Sequence, residues 1–246
     1  MEAIAKLILP FFSTPKNYAD VLTKLASFTF YQVYLITFLL RDNPIIEAAF
    51  TKAESWEPIS KLVSKVPGYD TVNISGFVIA IILAVLTHIF HLHDRISDLL
   101  GLRRRFDLNE ILLPLMKLVE FPVTDATREK LTQKRHEIMR KVFYKYASSG
   151  GGSTLVDKHD IEHALAARSW LWILVEGAFY FSVGALIAWW FGSNDLAAFF
   201  AFVVVTFICF AAIQRQRLGR YARPQVQAIA SDPTARNSVK SVFDAL

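Results

Sequence analysis

From Leu196 to Gln214 the chain runs through nineteen residues, LAAFFAFVVVTFICFAAIQ, without one charge. As a helix this stretch is about 28 Å long, close to the thickness of a bilayer core. It is apolar on every face, whereas a helix packed on a soluble core carries a polar side. Three further segments share the pattern. Leu25 to Leu40 has sixteen uncharged residues between Lys24 and Arg41, two cations able to snorkel toward the interface. Val72 to Leu92 is rich in Ile, Leu and Val, and Trp170 to Gly192 holds one charge, Glu176. Mean hydropathy is +0.33. Charged residues make up 20%, below the roughly 25% of ordinary soluble domains. The expected fold is all-α: an integral membrane protein with four transmembrane helices and a small helical cytoplasmic insert.

The expected organisation follows from these segments. Residues 1–24 form an interfacial N-terminal segment. Residues 25–92 hold the first two transmembrane helices, with an outer loop at 41–71. Residues 93–169 are the insert, 170–214 a transmembrane hairpin, and 215–246 a basic tail. The opening MEAIAKLILPFFSTP reads as a short helix lying on the bilayer rather than a signal peptide. The outer loop reads as one or two short amphipathic helices, with Ile45, Ile46, Ala49, Phe50, Ile59, Leu62 and Val63 as the apolar positions.

Orientation comes from the cations. The segments 1–24, 93–169 and 215–246 lie on one side of four spans and carry 23 of the 27 Lys and Arg residues. The positive-inside rule makes that side cytoplasmic, with both termini inside. This suits a bacterial inner membrane or an organelle inner membrane. The net charge of +5 is thereby a matter of topology, and no nucleic-acid partner is expected. The single cysteine, Cys209, excludes an intramolecular disulfide and any CxxC site.

Within the insert, Asn109 to Val119 predicts a short apolar helix interrupted by Pro114. Asp125 to Ala147 predicts one amphipathic helix capped by Thr124 or Asp125. SSGGGS at 148–153 reads as a flexible break, and Thr154 with Asp157 matches a capping box. The helix it opens is expected to run into the third span.

Few residues point to chemistry. Glu176 lies roughly 9 Å into the third span, where an ionisable group faces protein or water rather than lipid. His88 is at a similar depth on the second span and is the expected partner. His91 and Gln32 complete the candidate intramembrane polar site. His88 and His91 share a helix face, whereas His93 is expected to point away. His159 and His163, at i and i+4, have spacing compatible with a metal but lack an HExxH order, so no metal or other cofactor is expected. Arg103, Arg104 and Arg105, with Arg215, Arg217, Arg220 and Arg223 after the last span, are candidate contacts for anionic lipid or phosphate. Gly177, Gly184 and Ala188 form a small-residue stripe suited to close helix packing. Walker, GxGxxG, GxSxG and HExxH motifs are missing, so a catalytic role has no support.

The expected function is therefore non-enzymatic: an oligomeric channel or membrane effector gated from the cytoplasm. The alternative is an accessory scaffold subunit of a larger membrane complex. The expected partners are anionic membrane lipids and either further copies of the chain or other membrane subunits.

Overall fold

A computed structural model describes residues 13–57, 61, 71–147 and 155–246, and all of its secondary structure is helical. Three expectations fall wholly or partly outside the described residues: the interfacial reading of 1–12, the outer-loop helix around Ile59, Leu62 and Val63, and the 148–154 break with Thr154. The described elements are α1 (Tyr18–Leu39), α2 (Pro44–Glu54), α3 (Thr71–Ile89), α4 (Leu92–Leu99), α5 (Leu102–Phe106), α6 (Leu113–Leu118), α7 (Asp125–Gln133), α8 (Arg135–Met139), α9 (Lys158–Trp190), α10 (Asn194–Ser231) and α11 (Pro233–Asp244). Two π-helical stretches, Asp107–Leu112 and Arg140–Tyr144, follow α5 and α8.

Among the described residues, three helices are long and apolar enough to cross a membrane: α1, α9 and α10. A fourth candidate is the broken pair Ser75–Ile89 and Leu92–Leu99. The break falls at Phe90–His91, where His91 adopts a left-handed φ of 47°.

The chain divides into two compact units. The first comprises Leu22–His93 and Trp172–Ala211, with Ser13. The second comprises Thr14–Val21, Asp94–Leu171 and Ala212–Leu246. In the first unit, Ile36, Leu40, Phe181, Ala188 and Phe200 form a buried cluster. The turn from α9 to α10 is tight: Gly192 takes φ of 78° and the Ser193 amide donates back to the Ala188 carbonyl. This six-to-one bond ends α9, and glycine suits its left-handed position. α10 restarts at Asn194.

The second unit has a larger core. Leu112, Leu115, Met116, Leu131, Ile229 and Val239 are almost completely buried within it. The insert and the tail, separate segments along the sequence, thus share one interior. The tail is helical: α10 continues to Ser231, and α11 is capped by Asp232, whose Oδ1 accepts from the Ala235 amide at 2.7 Å.

The single helix expected over Asp125 to Ala147 is instead broken. Thr124 Oγ1 accepts from the Thr127 amide and caps α7, which ends at Gln133 with Lys134 as its C-cap. A π-helical stretch then follows α8. The same device answers Pro114. Its ring nitrogen cannot donate a helical bond. The preceding stretch is π-helical, and Leu113 N–H reaches back five residues to the Leu108 carbonyl. Asp157 Oδ1 accepts from the His159 amide at 2.7 Å, and α9 runs unbroken from Lys158 to Trp190.

Candidate functional site

In the first unit, Glu176 is fully buried on α9. Its position on the inward face is fixed by its neighbours on the same helix, since Trp172, Ile173 and Phe181 are buried as well. Thr29 on α1 donates from Oγ1 to Glu176 Oε2 at 3.0 Å. His93 Nδ1 lies 3.6 Å from Glu176 Oε1, close enough for charge interaction but longer than a hydrogen bond. The His93 ring packs against Trp172, with centroids 4.6 Å apart. Gln32, one turn along from Thr29, is buried and donates from Nε2 to the Ile173 carbonyl at 3.4 Å. A second polar contact joins Thr87 of α3 to the Tyr180 hydroxyl.

This arrangement corrects one expectation. His88 is exposed, and the imidazole beside Glu176 belongs to His93. The straight-helix geometry that would turn His93 away fails because the helix breaks at Phe90–His91. The break instead brings the ring centroids of His91 and His93 to 5.9 Å. His91 itself is exposed, 6.4 Å from His88 by ring centroid. Of the four residues expected to form the polar site, Glu176 and Gln32 are buried together and His88 and His91 are not. Thr29 and His93 take their places.

The small-residue stripe faces other helices of the same unit. A Cβ at Gly177 would lie 2.4 Å from Phe207 Cε2 and 2.6 Å from Gln32 Nε2. One at Gly184 would lie 3.1 Å from Ile36 Cγ2. Gly177 therefore lets α9 approach both the Gln32 amide and Phe207 of α10.

In the second unit the basic residues divide. Arg104 and Arg105 are exposed, as are Arg215, Arg217, Arg220 and Arg223. Arg103 is largely buried and pairs with Asp94 at 2.9 Å. His159 and His163 lie side by side, Nε2 to Nε2 at 2.8 Å, and His163 stacks on Tyr221. Two imidazoles on an open helix face provide two ligands, short of the four of a structural zinc site. Sequence reasoning missed buried Arg135, which meets Asp98 at 3.1 Å and Asp107 at 3.5 Å. Burial pushes the Asp107 carboxyl above its ordinary range, against the opposing pull of Arg168, Arg135, Arg103 and His136. These partners lie tens of residues apart, and no local pattern links them.

The YmfE protein family model matches residues 17–245. The chain belongs to the YmfE protein family. The match takes in both units, including Glu176, Thr29, Gln32 and His93. Comparison with curated proteins and with solved structures found no match.

Proposed function

We propose that the chain is a non-enzymatic, multi-pass membrane protein that assembles into an oligomeric channel or membrane effector controlled from its cytoplasmic unit. Four spans fit the division of the chain: each long segment of the first unit starts and ends in the second unit, as a two-span hairpin requires. Only 6% of the most apolar window of α10 is buried within the chain, against 50% in α9. Phe202, Val205 and Ile208 are more than half exposed, which suits contact with lipid or a neighbouring subunit. Four exposed arginines, Arg215, Arg217, Arg220 and Arg223, then follow on the same helix, at the position for anionic head groups. This reading puts both termini in the cytoplasm, at a bacterial or organelle inner membrane.

The observation that carries the reading is the complete burial of Glu176 among Thr29, Gln32 and His93. An ionisable group inside a span is costly and marks a pathway or a control point by default. Enclosed as it stands, Glu176 has to be exposed before an ion could pass it. The second reading, an accessory scaffold subunit, treats the same cluster as a packing lock.

The test is a paired measurement on purified protein. Native mass spectrometry reads the oligomeric state, and dye-loaded liposomes read proton and cation flux. The channel reading expects a closed homo-oligomer with flux that Glu176→Gln abolishes while assembly persists. A monomer without flux, bound at fixed stoichiometry to another membrane subunit, establishes the scaffold. A monomer with neither property overturns both.

A further inference from the structure

The second unit contains a cavity of about 290 Å³ outside the cluster around Glu176. Its wall is mostly apolar, with Phe106, Ile111, Phe143, Leu165 and Leu218 supplying much of the surface. Two guanidinium groups, Arg103 and Arg168, also line it, and none of the lining residues carries a carboxylate. Pockets for small ligands combine an apolar wall with a few convergent polar groups and start at about 300 Å³.

The polar groups are arranged for an anion. Gln225 directs Nε2 to the carbonyls of Asp160 and Tyr221, at 3.2 and 3.0 Å. Arg168 is hydrogen-bonded to Tyr144 and faces Asp107. Asp107 is at the same time the neighbour of Arg135, so one carboxyl serves two guanidiniums. Arg103 pairs with Asp94 through Nη1, but its Nε is buried without a hydrogen-bond partner among the described residues. Arginine is also the side chain best suited to a carboxylate or phosphate.

We propose that this cavity binds a small amphiphilic anion, with its carboxylate or phosphate head at Arg103 and Arg168 and a short apolar body between Phe143, Leu165 and Leu218. Octanoate, a carboxylate on a short apolar chain, carries both features and serves as the probe. Octanamide has the same size and shape without the charge.

The experiment titrates octanoate into the full chain in phosphatidylcholine nanodiscs by calorimetry, with empty nanodiscs subtracted. A saturable site is expected, with octanamide at least about tenfold weaker, the scale of a lost charge-assisted hydrogen bond. Arg168→Gln is expected to weaken octanoate by a similar factor. Ala164→Phe, which fills the cavity without touching a charge, is expected to remove the site. The proposal is overturned if octanoate shows no saturable binding, or if octanamide binds as tightly. It is also overturned if Arg168→Gln binds normally with an unchanged melting temperature. Should either variant fail to fold, the octanoate and octanamide comparison on the unmodified chain still decides. Repeating the titration in discs containing phosphatidylglycerol separates two sources of the same chemistry. Loss of the octanoate site there assigns it to a lipid head group, and persistence assigns it to a free amphiphile.

Discussion

Gly177 gives the sharpest test of how the first unit packs. Replacing it by alanine puts a methyl group 2.4 and 2.7 Å from two ring carbons of Phe207 and 2.6 Å from Gln32 Nε2. Carbon atoms prefer separations of about 3.5–4.0 Å, so the ring has to move by about 1 Å or more. Overpacking of this kind costs about 1–3 kcal/mol. Displacing Gln32 also strains its 3.4 Å bond to the Ile173 carbonyl, worth up to about 1 kcal/mol. Against this, alanine gains about 1 kcal/mol over glycine in a helix interior. The net expectation is destabilisation by up to about 3 kcal/mol, with a midpoint between about 1 and 2 kcal/mol. Gly184→Ala is the internal control. Its nearest contacts, 3.1 Å to Ile36 and 3.2 Å to Phe200, need adjustments of only a few tenths of an ångström. Its cost and its helix-propensity gain should nearly cancel. Unfolding of purified protein in mixed micelles, followed by circular dichroism, reads both values. Adding Phe207→Leu to Gly177→Ala should restore at least half the loss by removing the clashing ring atoms. If Gly177→Ala is as stable as the unmodified chain and matches Gly184→Ala, the close approach of α9 to Phe207 is refuted.

Two further outcomes are expected. Burial raises the Asp107 carboxyl above its usual 3.8, so its contribution to stability is full below that pH and is lost as pH rises through the folded value. Asp107→Asn should therefore flatten the fall in stability as pH rises above about 3.8, read as the slope of unfolding free energy against pH; an unchanged slope contradicts the assignment. For topology, a cysteine at Ser193 in a Cys209→Ser background should react with an impermeant thiol reagent in intact cells. One at exposed Lys134 should react only after lysis, and the reverse pattern inverts the proposed orientation.

The helical class and the longest apolar segments were legible in the sequence because they depend on local properties. Nineteen uncharged residues from Leu196, or the cap at Thr124, act within a few turns of the chain. The small residues Gly177 and Gly184 were visible for the same reason, although not what they face. Tertiary structure decided the rest. His93 rather than His88 stands beside Glu176 because the helix breaks at His91, a break that an ideal helical projection does not contain. Arg135 meets Asp98 and Asp107 across 37 and 28 residues of sequence, and Arg168 joins the same acid from α9. The insert and the tail share one core because neither can bury its apolar face alone. Periodicity in a sequence shows that a side chain has a buried face. Which partner fills that face depends on how the chain closes on itself, and the energy of a buried charge is set almost wholly by that partner.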